Sequence, residues 1–536
     1  MKSSHLLALL LPAACKAASA GSLPSALQDD PHGFDPALCA GGTVVDWFSQ
    51  TVAGNAEGRR IVRLPDGDFV VAALTAPFGA DASANGLWNI GLARYRLPCI
   101  DVAWPGAGTY GFWENRYVVY PNSNTPRYSE IRDLAVFGGQ LYVLADRHSG
   151  PDASSQRDVY VLVFDLDGGF VGFYPALDSD LDERGAGFVF HQAPGIPPAP
   201  LPPAKLYVAA TSYNVFPVIG PTPSLARMSR AGNGSLTRDA DLGAGGNQAT
   251  VHYGQPDGYC APGANPCQAV ANGIALSEGL GGTIQRIYLA GAARRTTAGD
   301  WDFLVIGVNA SGVRDTSFGS VWLPGGRAGF AMAQFNAGGN LRDVGNAIAV
   351  QRGIGNDRIH VTGEVAQQPA AGGNGGNRGI GILRLLHNGD PDPAFGTGAG
   401  PGRMVLGGCP AAPCIDAFGR GDAEEFPRAI AFDQDRLVVV GREGRRGICP
   451  GAVGSQPCGG VLAPHYYQTS LAIVGLDGAV REHAALGVSL GDAILHGAVV
   501  SPDRRINAVG WVQDDARRRL LLARYRSDRL FSNGFQ

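Results

Sequence analysis

The stretch Arg60-Ile-Val-Arg-Leu-Pro-Asp-Gly-Asp-Phe-Val-Val-Ala-Ala73 holds two apolar segments that are separated by a Pro-Asp-Gly turn. Asp-Gly between two apolar runs is typical of a β-hairpin. The second segment ends in small residues, and a third apolar run follows at Ile90–Arg96. The stretch therefore predicts three consecutive antiparallel strands.

The same pattern recurs along the chain with a period of roughly 73 residues. The two-strand segments are Arg60–Ala73, Arg132–Ala145, Gly187–Ala210, Asn272–Gly291, Asn346–Gly363, Arg428–Gly441 and Gly497–Gly510. The third strands are Ile90–Arg96, Val159–Leu166, Ser224–Arg230, Phe303–Asn309, Gly381–Leu386, Ser470–Leu476 and Arg519–Arg526. These seven units fill residues 21–536 and predict a single domain.

A further signature follows the third strand in two units. It reads Asn309-Ala-Ser-Gly-Val-Arg-Asp-Thr-Ser-Phe-Gly319 and His387-Asn-Gly-Asp-Pro-Asp-Pro-Ala-Phe-Gly396, and a short fourth strand follows at Gly402–Leu406. These residues resemble the bacterial delta-sixty repeat, in which an Asp-Gly turn leads to an Asp and then to Phe-Gly. The other units match it mainly in strand pattern. The resemblance implies an exported β-propeller.

The size and number of the repeats predict the same architecture independently of the family resemblance. A small four-stranded unit cannot bury both of its faces, whereas radial stacking buries them. We predict an all-β, seven-bladed β-propeller. Asp35-Pro-Ala-Leu38 resembles the tail of a unit, and the chain stops after a third strand. The N-terminal strand Thr43–Phe48 is therefore predicted to close the last blade and remove an open edge.

Composition supports this fold and excludes several classes of protein. Of 536 residues, 78 are Gly and 36 are Pro, and only 17% are charged. This composition disfavours helical bundles and coiled coils. The formal net charge of -4 gives no electrostatic basis for binding nucleic acid.

The N-terminus predicts export. Lys2, the apolar run Leu6–Ala14 and the small residues Ala18-Ser-Ala20 form a signal peptide over residues 1–20, with cleavage before Gly21. The segment Leu11–Cys15 loosely resembles a lipobox, so lipoprotein anchoring at Cys15 is the alternative. No later segment has 18 consecutive apolar residues, which predicts no membrane span. The mature protein is expected to be secreted or periplasmic, and monomeric.

The cysteines predict disulfide bonds in an exported chain. Removal of Cys15 leaves eight of the nine cysteines. Three pairs are local, and Cys39 and Cys99 follow third-strand positions in neighbouring units. The local pairs are Cys260 with Cys267, Cys409 with Cys414, and Cys449 with Cys458. The alternative, a zinc site, lacks any Cys-x-x-Cys motif, so no metal is expected.

Aligning the first strands predicts a ring of residues around the central channel. Its members are Arg60, Arg132, Ala186, Asn272, Asn346, Arg428 and Gly497. Three Arg and two Asn in this ring are candidates for binding a carboxylate, phosphate or sulfate. The alternative is that they pair with acids just upstream, namely Glu57, Glu130, Asp343 and Glu425.

Two other features are candidate sites. Asp-rich turns such as 165–168, 178–182 and 390–392 offer clustered oxygens to calcium, but Asp-Gly is also an ordinary hairpin turn. Long insertions occupy residues 195–204, 253–269, 366–377, 407–425 and 444–466. They predict a recognition surface for a glycan or a protein partner, with Tyr466 and Tyr467 as stacking residues.

Two functions remain open at this point. The first is a non-catalytic binding or scaffold protein that acts through its loop face or channel mouth, without a cofactor. The second is an enzyme, a hydrolase or lyase on an anionic glycan, with its site at the channel mouth. No local catalytic motif is present, although propeller sites assemble from distant blades and need none.

Overall fold

The structure is a computed structural model that consists of β-strands and their connections. It describes residues 43–46, 55–75, 88–96, 99–100, 117–120, 127–149, 156–195, 201–213, 220–253, 268–294, 301–319, 328–335, 342–353, 356–366, 378–396, 400–407, 421–433, 435–446, 466–486, 492–514 and 517–525. Within these residues there is no helix, and hence none that is long and apolar enough to cross a membrane.

The strands form seven antiparallel blades in chain order. After the N-terminal strand β1 (Thr43–Asp46), blade 1 holds β2 Ala56–Arg63, β3 Phe69–Thr75, β4 Asn89–Arg96, β5 Cys99–Ile100 and β6 Tyr117–Tyr120. Blade 2 holds β7 Tyr128–Phe137, β8 Gln140–His148, β9 Arg157–Asp165 and β10 Phe170–Leu177. Blade 3 holds β11 Glu183–His191, β12 Ala204–Tyr213, β13 Pro221–Arg230, β14 Leu236–Arg238 and β15 Thr250–His252. Blade 4 holds β16 Ala269–Glu278, β17 Ile284–Arg294, β18 Trp301–Val308 and β19 Phe330–Ala333.

The remaining three blades have the same order of strands. Blade 5 holds β20 Val344–Gln351, β21 Arg358–Ala366, β22 Arg378–Leu386 and β23 Arg403–Leu406. Blade 6 holds β24 Gly421–Asp433, β25 Arg436–Arg446, β26 Tyr466–Gly475 and β27 Val480–Leu486, and one parallel pairing, Arg378 with Glu424, links it to blade 5. Blade 7 holds β28 Ala493–Val500, β29 Ile506–Asp514 and β30 Arg517–Tyr525.

The ring closes as the sequence predicts. Strand β1 pairs antiparallel with β30, from Thr43 opposite Ala523 to Asp46 opposite Leu520. Residues 43–46 thus supply the outer strand of blade 7, and residues 493–525 supply its other three strands. The prediction of a seven-bladed β-propeller with an N-terminal closing strand is confirmed.

The hydrophobic core lies between the blades. Strand β3 shows the principle, because alternate side chains of a strand point to opposite faces. Val70 and Leu74 pack with Leu141 and Val143 of blade 2, whereas Val71 packs with blade 7. Seven such clusters of buried residues occupy the seven interfaces between successive blades. Strand β3 is therefore apolar on both faces.

A β-bulge interrupts the innermost strand of every blade, and a small residue near the end of the second strand lies opposite it. In blade 4, Gly291 pairs with Ala271, and the register then skips Asn272. A Cβ at Gly291 would overlap the carbonyl oxygen of Val270, and one at Gly510 would overlap that of Ile494. The small residue in the repeat thus lets the bulged strand approach closely.

The aspartate of the repeat signature binds a cation on the second or third strand of its own blade. Asp315 accepts hydrogen bonds from Arg286 Nε at 2.8 Å, and Asp392 accepts from Arg358 Nε at 2.7 Å. The phenylalanines that follow, Phe318 and Phe395, are fully buried. The signature therefore has a structural role. It stabilises the end of the blade that lies opposite the start of the first strand.

Candidate functional site

All seven residues that the alignment placed in one ring line a single cavity on the axis of the propeller. The cavity has a volume of about 200 Å³ and takes its walls from the innermost strands β2, β7, β11, β16, β20, β24 and β28. Asp133, which follows Arg132, also lines it. The structure thus brings together residues that are separated by more than four hundred positions in the chain.

The bulges show that the alignment is offset by one position in two blades. The bulged residue is the aligned one in blades 2 to 6, at Arg132, Ala186, Asn272, Asn346 and Arg428. In blade 1 the register skips Arg59, and in blade 7 it skips His496. In blades 1 and 7, the residues at the bulge are therefore Arg59 and His496. Each lies one residue before the aligned residue, Arg60 or Gly497.

Arg132 is neutralised within its own blade. Its Nε and Nη2 donate to Asp146 Oδ2 at 2.9 and 2.7 Å, and the side chain of Asp146 is fully buried. The other carboxylate oxygen of Asp146 accepts the backbone amide of Gly185 at 2.7 Å. Arg132 therefore makes the kind of acid pair that the alternative interpretation requires, but with Asp146 on β8 and not with the upstream Glu130.

Arg60 carries its charge without an acidic partner. Its Nε donates to the carbonyl of Arg132 at 2.7 Å, and Nη1 donates to the carbonyls of Arg59 at 2.8 Å and His496 at 3.2 Å. Burial lowers its pKa, although Asp133 and Glu130 act in the opposite direction. This side chain ties blade 1 to both of its neighbours.

The two asparagines have a similar structural role. Asn272 Nδ2 donates to the carbonyl of Gly345 at 2.8 Å, and Asn346 Nδ2 donates to that of Pro427 at 3.0 Å. Each bond joins the innermost strands of successive blades. Asn272 and Asn346 thus line the cavity with amide groups that are already engaged.

Arg428 differs from all of these residues. In the part of the chain that the structure describes, its guanidinium makes no hydrogen bond or ion pair, and its Nε is buried without a partner. Arg442 on β25 lies near Arg428, and the charges of both arginines act on His496. Burial, followed by the charge of Arg428, lowers the pKa of Arg442.

Arg442 is held by aromatic rings. Its guanidinium lies 4.4 Å from the ring centroid of Phe426 and 4.0 Å from that of Tyr467, while its Nε is buried without a partner. These rings fix the plane of the guanidinium without neutralising it. Arg442 was missed at the sequence level because it lies on a second strand, and only first strands were aligned.

The acids upstream of the ring have other partners. Glu57 and Glu130 both bind Arg59, at 2.5 and 3.1 Å, and Glu57 also binds Arg518. Asp343 accepts the backbone amides of Phe335 and Ala366, both at 3.1 Å. Neither Arg60 nor Arg428 forms an ion pair with a described acid.

His496 is surrounded by cations. Its Nε2 lies 2.8 Å from Arg59 Nη1. Burial lowers its pKa well below the usual value, and the charges of Arg59, Arg428 and Arg60 act in the same direction. His496 is therefore neutral at physiological pH and adds no charge to the ring.

Asp133 is the one acid among the described residues that line the cavity. Its Oδ2 accepts the amide of Phe188 at 3.0 Å, and Oδ1 accepts that of Leu134 at 2.9 Å. Burial raises its pKa, against the charge of Arg60. Both oxygens thus hold backbone in place at the boundary of blades 2 and 3.

The other sequence candidates have plainer positions. Asp165 accepts the amides of Asp167 and Gly169 within its own turn, and the described residues contain no cluster of His, Cys, Asp or Glu that could hold a metal ion.

Seven of the eight cysteines proposed to form disulfides lie outside the described residues. For Cys99 the structure gives only its place in β5.

The long insertions also lie largely outside the described residues. Those at 253–269, 366–377, 407–425 and 444–466 connect strands at the end of the propeller where the first strands begin, and the segment 195–204 lies at the other end. Arg428, Arg442 and Tyr467 lie toward the first of these two ends. The two guanidinium groups thus lie toward the end of the propeller at which most of the long insertions are attached.

Comparison with known proteins gives no family. No protein-family model matches the chain, and no curated protein matches it. Among solved structures it is similar to a protein of unknown function from Dyadobacter fermentans, at 11% identity over 80% of this chain and 97% of that one, with a TM-score of 0.36. It is also similar to an apocarotenoid oxygenase of Synechocystis, at 10% identity over 92% and 91% of the two chains, with a TM-score of 0.34.

A thermostable family-43 glycoside hydrolase matches at 10% identity over 67% of this chain and 95% of that one, with a TM-score of 0.29. At these identities and scores, none of the three structures assigns an activity to this chain.

Proposed function

We propose that the protein is an exported binding protein whose channel mouth holds the anionic group of its ligand through Arg428 and Arg442. The observation that carries this proposal is the pair of guanidinium groups without a hydrogen bond or ion pair to any described residue. Arg428 lines the central cavity, and Arg442 lies near it on the neighbouring strand β25.

The physical argument rests on compensation of buried charge. A partly buried guanidinium that lacks an anion loses hydration free energy that no interaction within the protein replaces. A carboxylate or sulfate group restores the lost interactions, because the planar fork of Arg matches its oxygens. An acidic sugar or a sulfated glycan has this chemistry.

Binding without catalysis is the better supported of the two functions. Asp133 is committed to two backbone amides, and His496 is held by Arg59. Neither side chain is therefore free to exchange a proton with a ligand in the arrangement described. The enzyme alternative, a hydrolase or lyase on an anionic glycan, is favoured only by the raised pKa of Asp133, which burial causes within the same cavity.

Export belongs to the same proposal. A signal peptide over residues 1–20 would deliver the chain to the periplasm or the medium, where the eight remaining cysteines would form disulfides. N-terminal sequencing of the mature protein tests this directly. A start at Gly21 with no free thiols supports the proposal, whereas a start at an acylated Cys15 supports the lipoprotein alternative.

A thermal-shift screen tests the binding function. The mature protein is measured with glucuronate, sulfate and glucose at matched ionic strength, beside the variants Arg428→Gln and Arg63→Gln. Arg63 is exposed and serves as the matched control. We expect glucuronate to stabilise the wild type and Arg63→Gln but not Arg428→Gln, sulfate to stabilise Arg428→Gln less than the wild type, and glucose to have no effect. An equal shift in Arg428→Gln rejects the site.

A further inference from the structure

A second cavity lies between blades 5 and 6, at the end of the propeller opposite the channel mouth. It has a volume of about 310 Å³, and its lining includes Arg352, Arg358, Arg384, Asp392, Ala394 and Leu476. We call it the blade 5 pocket. It shares no lining residue with the central cavity.

Positive charge exceeds negative charge in the blade 5 pocket. Arg358 Nε and Arg384 Nε lie 2.7 and 3.0 Å from the same oxygen, Oδ2 of Asp392. The other oxygen of Asp392 accepts the amide of Ala394 at 3.0 Å. Two guanidinium groups thus share a single carboxylate. The side chain of Arg384 is only 7% exposed, so water compensates little of its charge; its Nη1 donates to the carbonyl of Leu476, and the charge of Asp477 also acts on it.

Blade 3 shows how the same arrangement is balanced elsewhere in the protein. Lys205 and Arg227 stand on β12 and β13 at the positions of Arg358 and Arg384, since Tyr207 pairs with Arg227 as His360 pairs with Arg384. Lys205 and Arg227 both bind Asp239, and Arg227 also binds a second carboxylate, Asp241.

The second carboxylate is missing from blade 5. The amide of Asp239 donates to the carbonyl of Arg227, and that of Asp392 donates to the carbonyl of Arg384, so Asp239 and Asp392 occupy equivalent positions and the residues two places further on are aligned. Asp241 therefore corresponds to Ala394. In blade 3 two cations meet two carboxylates, whereas in blade 5 a methyl group and a cavity stand where the second carboxylate would be.

We propose that the blade 5 pocket binds a phosphate or sulfate group, which supplies the negative charge that Asp241 supplies in blade 3. Arg384 and Arg358 provide the donors, and Arg352 stands at the exposed rim, where Glu278 lies 2.8 Å from it. The site is independent of the channel mouth and does not depend on the proposed function.

The substitution Ala394→Asp tests this site by occupying it with the carboxylate of blade 3. Binding is measured in the presence of excess glucuronate, which occupies the channel mouth, by isothermal titration with inorganic phosphate and sulfate, and with glucose 6-phosphate and glucose 6-sulfate to distinguish a free anion from a sugar-borne one. We expect the wild type to bind, and the apparent affinity of Ala394→Asp to fall at least tenfold. The matched control is Ser317→Asp, which adds the same charge at the equivalent turn of blade 4.

Three outcomes decide the proposal. Loss of binding in Ala394→Asp, with retention in Ser317→Asp and in the channel variant Arg428→Gln, supports it. Equal binding in Ala394→Asp and the wild type overturns it, as does the absence of binding in the wild type. If Ala394→Asp does not fold, Arg358→Gln takes its place, and it must also weaken binding at least tenfold.

Discussion

Val45 in β1 lies opposite Leu521 in β30, so strands from the two ends of the described chain share one ladder. The pairing gives blade 7 its fourth strand and covers an edge that would otherwise expose unpaired backbone groups. Because every blade packs on two neighbours, this single ladder affects the stability of the whole ring.

Deletion of residues 21–50 should therefore strongly destabilise the protein. The deletion removes the β1–β30 hydrogen bonds, each worth about 1 kcal/mol, and it leaves the edge of β30 open. We expect a loss of about 3 kcal/mol or more in the free energy of unfolding, measured by urea titration. Deletion of residues 21–40, which retains β1, is the control. An unchanged midpoint in the longer deletion would reject closure by β1.

The small residue opposite each bulge should tolerate no added side chain where it is Gly. Gly363→Ala places a Cβ against the carbonyl oxygen of Val344, so the strands must separate. We expect a loss of about 2 kcal/mol, in the range of other overpacked sites. Ala210→Gly, at the equivalent position of blade 3, should cost about 1 kcal/mol or less. Equal costs for the two variants would show that the bulge imposes no such constraint.

The signature aspartate should be essential to stability because it neutralises a buried cation. The side chain of Arg286 is 8% exposed and lies 2.8 Å, measured from Nε, from Asp315 Oδ2. Asp315→Ala leaves that charge unpaired and should cost about 3 kcal/mol.

Two controls accompany this prediction. The double variant Asp315→Ala/Arg286→Met should recover most of the loss, since it removes the charge as well. Asp477→Ala breaks an exposed ion pair with Arg481 and should cost less than about 1 kcal/mol. A small loss in Asp315→Ala would contradict a structural role for the signature.

Stability should fall as the pH rises through the range in which Glu183 ionises. Burial, together with the nearby charges of Asp158 and Asp178, raises the pKa of Glu183 from 4.5 to about 7. Its Oε2 is buried without a partner. The folded state therefore binds a proton that the unfolded state releases between about pH 4.5 and 7, and the wild type loses about 3 kcal/mol over that range.

Glu183→Gln isolates this contribution. The variant should be more stable than the wild type at pH 8, and its advantage should shrink toward pH 5. Urea unfolding at the two pH values measures the difference. Glu278→Gln, which changes an acid that pairs with the exposed Arg352, should show no such trend. Parallel pH profiles of Glu183→Gln and the wild type would contradict the assignment.

Much of the fold could be predicted from the sequence because one physical constraint repeats in every unit. A blade needs an apolar strand pair, a tight turn and a small residue opposite the bulge, and each leaves a visible mark, as in Gly291 and Gly510. The closing strand β1 was predictable because it resembles the tail of a unit. The bulges were not, since an extra residue such as Arg59 changes the register of a strand without changing its composition.

The site was predictable only in part. The first strands place Arg428 and Arg132 on one cavity, yet nothing in the sequence shows that Asp146, on another strand, neutralises Arg132 and leaves Arg428 without a partner. Arg442 reaches the same end of the channel from β25 and is held by Phe426 and Tyr467. Contacts between strands determine these partners, and the spacing of residues along the chain does not reveal such contacts.

The central claim is that Arg428 holds an anion at the channel mouth. Isothermal titration of the mature protein with glucuronate tests it most directly. The account predicts binding that weakens at least tenfold, about 1.4 kcal/mol, in Arg428→Gln and stays unchanged in Arg63→Gln. Equal dissociation constants in Arg428→Gln and the wild type would contradict the account.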